Sequence, residues 1–284
     1  MNTSAMFYER DSKPTVIALH CSGANGQMWR HLSDAVEDRF ALIAPDLIGC
    51  GAARPWGGAQ EFTAADEAAL TISMIDAIDA PVHLVGHSYG GGVALRVARE
   101  RASRLASLTL YEPTLLSVLN TMGDEGRAAL AEIDAKASEV IDGMSTGAYL
   151  AAARIFVNYW SGNGSWAAMS PEAQAGVARH VPKLCLEYRA MSRERVPLQA
   201  YRRFNFPVLL LQGDRSLQPA HLIVRQLHRA MKSAALHTVY GAGHMGPLTH
   251  PAAVNALVVG HIVRAEPADA TVEQFLPIEK RLAA

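Results

Sequence analysis

Cysteine is scarce and scattered in this chain. Its three cysteines, Cys21, Cys50 and Cys185, offer neither an even framework for disulfides nor a spacing that would ligate a metal, and they suit a reducing compartment. Excess charge of either sign is also missing. Against 26 Lys and Arg stand 27 Asp and Glu, a formal net charge of −1, which gives no general attraction to nucleic acid or to an anionic membrane. No apolar run approaches the length of a membrane span. The first residues lack the basic-then-apolar order of a signal peptide. The expectation is a cytoplasmic protein that engages neither nucleic acid nor membrane. What remains is 284 residues, 50% hydrophobic and 19% charged. That suits one α/β domain with a sizeable insertion, or two small domains.

The most informative stretch is Val82 to Gly92. Val82 to Val85 is a short apolar run that reads as a strand buried on both faces. Gly86-His87-Ser88-Tyr89-Gly90 then fits the pattern G-x-S-x-G, and Gly91 to Arg99 turns helical. Strand, sharp turn and helix form the context in which this motif carries chemistry. The turn strains the backbone at Ser88 and leaves no room for side chains two residues to either side, which explains Gly86 and Gly90. It also lifts the Ser88 hydroxyl above the sheet, at a helix start whose dipole favours negative charge.

Taken in order, Ala5 to Tyr8 reads as an edge strand and Thr15 to Leu19 as a second strand. A loop of small residues, His20 to Gly26, leads to a helix over Gln27 to Glu37. Phe40 to Ala44 is a strand ending in the glycine-punctuated loop from Pro45-Asp46 to Gly51. Thr63 to Asp79 reads as a helix with a capping box between Thr63 and Asp66, and with Leu70, Met74 and Ile78 on one face. Leu108 to Tyr111 is a strand ending at Glu112-Pro113. The alternation then stops: between Thr114 and Asn205 the patterns are helical, over Arg127 to Ile141 and Gly147 to Trp160, with further starts at Ser170-Pro171 and Pro182. It resumes with Pro207 to Gln212, Pro219 to Met231, Leu236 to Tyr240 and Pro251 to Arg264. The expected architecture is therefore α/β, a mainly parallel sheet covered by helices on both faces. Residues 1–113 and 206–266 form the core, 114–205 a helical insertion, and 267–284 a C-terminal extension without assignment.

The Ser88 turn, the His20-Cys21-Ser22-Gly23 loop, Pro45-Asp46 to Gly51, and Gly243-His244 after the last strand together resemble the α/β-hydrolase fold over about Thr15 to Arg264. The resemblance implies a serine nucleophile, an acid and a histidine in that order, two backbone N–H groups as an oxyanion hole, and a lid formed by the insertion. Ser88 needs a base, and among eleven histidines His244 is best placed, since Gly241-Ala242-Gly243 can turn its ring towards the strand ends. His87 adjoins Ser88 but points away from it, His20 supports its own loop, His83 lies within a strand, and His250 caps or precedes a helix. The oxyanion donors are the amides of Tyr89 and, by resemblance, Ser22, with Cys21 as its neighbour.

The acid departs from the common family pattern. Many members carry an aspartate three residues after the glycine that ends the strand following the lid; here that glycine is Gly213 and the third residue is Ser216. Two carboxylates remain. Glu112 ends the strand after the nucleophile's helix, a position that a subset of the family uses, and it is preferred; Asp214 is the alternative. Asp46 is read as fixing its own turn.

With serine at position 88, mechanisms needing a nucleophilic aspartate are set aside. The lid residues Leu115, Leu116, Met122, Tyr149, Phe156, Tyr159, Trp160, Trp166 and Met169 supply both insertion core and pocket wall, while its arginines, from Arg154 to Arg203, are expected to be solvated. The reading is a hydrolase for a small, mostly apolar carbonyl compound, foremost a carboxylic ester, needing no metal or organic cofactor. Hydrolysis of a C–C bond, perhydrolase activity without a cofactor, or ligand binding without turnover are the alternatives. Oligomeric state is left open, a homodimer included.

Overall fold

A computed structural model describes residues 13–267 of the chain. The expected strand at Ala5 to Tyr8 and the extension beyond residue 267 lie outside the described residues.

Six strands form one parallel sheet in the order β2-β1-β3-β4-β5-β6: β1 (Thr15–Leu19), β2 (Ala41–Ile43), β3 (Val82–His87), β4 (Leu105–Tyr111), β5 (Val208–Gly213) and β6 (Ala234–Val239). Strand side chains alternate between faces, and both faces are apolar. Val16, Ala18, Val85, Leu209 and Leu211 pack on one side with Val254, Val258 and Ile262 of α9 (Pro251–Ala265) and Leu32 of α1 (Arg30–Val36). Ile17, Leu19, Leu84, Leu108 and Leu210 face the other side. There they meet α2 (Ala64–Ala77), α3 (Tyr89–Glu100) and α7 (Gln218–Ala230). A parallel sheet whose strands are apolar on both faces has to be covered on both. Central strands β3, β4 and β5 are consecutive neighbours, so their C-terminal ends lie side by side.

Between β4 and β5 the chain is helical: α4 (Gly123–Ser145), α5 (Tyr149–Ser161) and α6 (Pro171–Arg193). These three share a small core of their own, including Val140, Ala152, Ala153, Val181 and Leu184. A short α8 (Gly246–Thr249) precedes α9.

Local signals fix several ends. The Thr63 hydroxyl accepts the Asp66 N–H, and the Asp66 carboxylate accepts the Thr63 N–H at 2.9 Å, closing the capping box of α2. Ser170 caps α6, with Pro171 at its first position. Two expectations need correction. Pro182 does not open a helix; it lies inside α6, so the helix tolerates the loss of one N–H donor to the preceding turn because its neighbours pack it in place. The buried face of α2 is not Leu70-Met74-Ile78. Ala64, Glu67, Ala68, Thr71 and Ile75 are buried and Leu70 is exposed, because small residues let α2 approach α3 and a cation elsewhere in the chain receives Glu67.

Candidate active site

The β3–α3 turn bears out its sequence. Ser88 sits at φ 53°, ψ −116°, a conformation that costs an L-residue of order 1–3 kcal/mol and persists only where surroundings hold it. Those surroundings are hydrogen bonds: the Ser88 N–H donates to Tyr111 O at 3.0 Å, and Ser88 O accepts from Gly92 and Thr114 at 3.0 and 2.9 Å. A Cβ at Gly86 would lie 2.7 Å from Gly90 O, and one at Gly90 would lie 2.5 Å from Leu19 O. Both are contacts with backbone, which cannot yield.

His244 follows β6. Its carbonyl accepts from His87 Nε2 at 2.8 Å, and Gly243 O accepts from the Tyr111 hydroxyl at 2.8 Å, so two buried side chains hold the loop. Burial pushes His87 well below the usual histidine range, which keeps it neutral. The His244 ring lies against Trp160 of α5, centroids 4.7 Å apart. Its Nδ1 is 2.7 Å from Glu112 Oε2 and its Nε2 is 2.9 Å from Ser88 Oγ. A carboxylate only accepts, so Nδ1–H donates to Glu112 and Nε2 is left to receive the Ser88 proton.

Like Ser88, Glu112 has a positive φ, 43°, which turns its side chain from the end of β4 towards His244. Its Oε1 accepts the Gly213 N–H at 2.7 Å. Burial works to raise its pKa, but the His244 hydrogen bond and charge, with Ser216 and the Gly213 amide, outweigh it and hold the carboxyl below the usual range. Ser216 Oγ is buried, without a well-formed hydrogen bond among the described residues, yet close enough to favour the charged carboxylate. Asp214 lies elsewhere: its Oδ1 accepts the Gly241 N–H at 2.6 Å, tying the loop after β5 to the loop after β6.

Tyr89 begins α3, so its N–H has no preceding helical carbonyl to bond and points with the helix N-terminus towards the site. Ser22 and Ser88 line the same cavity. His20 braces the Ser22 loop: its Nε2 accepts the Leu47 N–H at 2.9 Å and its Nδ1 donates to Cys21 O at 2.8 Å. Asp46 accepts from Gly26 and Ala52, each at 2.8 Å. Burial pushes the Cys21 thiol up to about 12, so it is no nucleophile.

Two chambers meet at Ser88. One, with a volume of about 90 Å³, lies beneath α4, α5 and α6, with walls from Leu116, Ile133, Val140, Phe156, Tyr159 and Met191 among others. The second lies on the His244 side, bounded by Gly23, Met169, Val177, Met245 and Leu248. Phe156 and Trp160 belong to both. Neither is lined by an arginine, and Arg193 ion-pairs with Glu61 instead.

Sequence reasoning missed a buried charge cluster beside Ser22. Glu67 accepts from the Tyr89 hydroxyl at 2.6 Å, from the Ile48 N–H at 2.8 Å and from Lys183. Lys183 also lies 3.4 Å from Glu187 and over the rings of Phe62 and Tyr89 at 4.4 and 5.0 Å. The only signal was the four-residue spacing of Lys183 and Glu187 on one helix.

The model of the alpha/beta hydrolase family matches residues 16–257. Lipase LipV of Mycobacterium tuberculosis is 33% identical over 100 residues, 35% of this chain and 37% of that protein's length. A putative carbamate hydrolase, RutD, of Variovorax paradoxus is 26% identical over 254 residues, 85% of this chain and 89% of the other. Among solved structures, a hydrolase from Pseudomonas aeruginosa PA01 superposes with a TM-score of 0.69 at 21% identity, covering 90% of this chain and 92% of its own. No helix among the described residues is long and apolar enough to cross a membrane.

Proposed function

This chain belongs to the alpha/beta hydrolase family, and from that premise we propose that it hydrolyses a small, mostly apolar carboxylic ester through an acyl-enzyme on Ser88. The observation that carries the reading is the unbroken relay from Ser88 Oγ to His244 Nε2 at 2.9 Å and from His244 Nδ1 to Glu112 at 2.7 Å. Ser88 Oγ attacks the ester carbonyl while its proton passes to His244 Nε2. The oxyanion that forms is held by the amides of Tyr89 and Ser22. Glu112 keeps His244 in the accepting tautomer and stabilises the imidazolium. As the tetrahedral species collapses, the C–O bond to the alcohol breaks and the alcohol leaves with the His244 proton. Water then gives a proton to His244 and its hydroxide attacks the acyl carbon; Ser88 departs, regaining its proton, and the acid is released.

The leaving group takes its proton from His244, so it occupies the His244-side chamber and the acyl group fills the chamber under α4 to α6. Residues 114–205 act as the lid, covering an apolar cavity with few polar anchors. The acid assignment is tested by hydrolysis of a short-chain ester. Glu112→Gln is expected to lower kcat/KM by about 100- to 10,000-fold, while Asp214→Asn stays within tenfold. The reverse pattern, or no loss in either variant, would overturn the assignment.

A further inference from the structure

Glu187 is a buried carboxyl that the relay does not use. It lines the chamber beneath α4 to α6 together with Ser88, Ser22 and Tyr89, yet it is only 2% exposed. Neither carboxyl oxygen makes a well-formed hydrogen bond among the described residues. Buried carboxyl oxygens without a good hydrogen-bond donor are costly, and the Glu187 side chain borders the chamber next to Ser88.

Neutralising the cluster does not require Glu187. Lys183 is already matched by Glu67, which also receives the Tyr89 hydroxyl and the Ile48 amide. Glu187 is a second acid beside one cation, with Lys183 Nζ at 3.4 Å. Burial, the largest influence, pushes its carboxyl up to about 7 despite Lys183 and the neighbouring Ser22 side chain. A residue that packing and charge balance would replace with an apolar one is instead held in the wall of the site.

We infer that Glu187 is the specificity-determining anchor of the acyl chamber, accepting a hydrogen bond from a neutral donor, a hydroxyl, on the substrate's acyl portion. This rests on the ester-hydrolase reading for the identity of the acyl chamber. The class follows from the neighbours. An apolar acyl chain would add no donor to a carboxyl whose nearest cation, Lys183, stands off at 3.4 Å. An ammonium would be brought up beside the Lys183 ammonium, which already lies against the same carboxyl. A hydroxyl gives one of the oxygens a donor without adding charge. Its position on the chain follows from Ser22, whose side chain interacts with Glu187 and whose amide is one proposed oxyanion donor. The hydroxyl is therefore within about three bonds of the reacting carbonyl, as in 2- and 3-hydroxyacyl esters.

The experiment compares kcat/KM for ethyl hexanoate and for the 2-hydroxy, 3-hydroxy and 3-amino derivatives of that ester, in wild type, Glu187→Gln and Glu187→Leu. The expected result is a preference of at least tenfold for one hydroxy ester over hexanoate in wild type. Glu187→Leu should reduce that preference to under threefold, and Glu187→Gln, which still accepts a hydrogen bond, should keep part of it. No preference in wild type, or one that survives in Glu187→Leu, overturns the role of Glu187. A preference for the amino ester overturns the neutral class. Should no ester be hydrolysed, binding decides separately from turnover: in Ser88→Ala, NMR titration with heptan-2-one and 4-hydroxyheptan-2-one should show tighter binding of the hydroxyketone, lost on adding Glu187→Leu. Equal binding of the two ketones would overturn the inference whatever becomes of the hydrolase reading.

Discussion

Replacing Glu187 by glutamine should stabilise the protein, and only on the alkaline side. In the fold, burial moves the carboxyl's protonation from near 4.5 to about 7, so between those values the native state holds a proton that the unfolded chain has lost. A state that binds more protons is destabilised as pH rises. Stability contributed at this site is therefore complete below about pH 4.5 and declines through pH 7. At 1.36 kcal/mol per pH unit, the decline totals about 3 kcal/mol by pH 8. The side chain is fully enclosed, so solvent screening takes little from that figure. Glutamine keeps the shape and does not titrate, and Lys183 retains Glu67 as its partner. Other groups facing the site, Tyr89, Cys50 and Cys21, stay protonated across this range because burial raises each of them. Urea unfolding of wild type and Glu187→Gln at pH 5 and pH 8 isolates the effect as a difference of differences. The two should be nearly equal at pH 5, with the variant about 3 kcal/mol more stable at pH 8, or roughly 6–12 °C in Tm. A variant that is equally affected at both pH values, or less stable at pH 8, would refute the reasoning. It would mean that Lys183 needs both carboxylates.

Two further outcomes follow from the same physics. Burial, with the Arg264 charge, lowers the His261 pKa to about 4, so the fold keeps this ring neutral. Its contribution to stability is present above about pH 6.5 and is lost as pH falls towards 4, by about 3 kcal/mol in all. His261→Phe should therefore flatten the acid limb of an unfolding profile over that range, and an unchanged slope would contradict the assignment. Gly90→Ala would push a Cβ into Leu19 O and His20 O. It should lower stability by about 1–3 kcal/mol and slow reaction at Ser88; a variant as stable as wild type by thermal melt would mean that the turn can relax.

The readable parts of this chain are those whose cause is local. Gly86 is required by contacts within the strand–turn–helix unit itself, and the Thr63–Asp66 cap lies within one helical turn. Both could be seen without the fold. The contest between Glu112 and Asp214 could be framed from sequence, because both follow strand ends. Its geometric outcome depended on sheet order: β4 lies between β3 and β5, and a left-handed backbone at Glu112 turns the carboxylate towards His244. Neither leaves a mark in residue spacing. Glu67 was hidden more deeply. Its position made α2 look like a helix with a Leu70 face, and it is Lys183, 116 residues away, with the Tyr89 hydroxyl and the Ile48 amide, that lets the opposite stripe be buried. Pro182 misled for a related reason, since a helix start and a proline tolerated inside a packed helix look alike in one dimension.

The central claim is that Ser88 is a nucleophile activated by His244. Intact mass after incubation with a serine-directed fluorophosphonate tests it most directly, on wild type, Ser88→Ala and His244→Ala. A single adduct is expected on wild type, none on Ser88→Ala and a strongly slowed one on His244→Ala. An adduct of equal rate on Ser88→Ala, or a wild type left unlabelled even when mild detergent loosens the helices between β4 and β5, would contradict it.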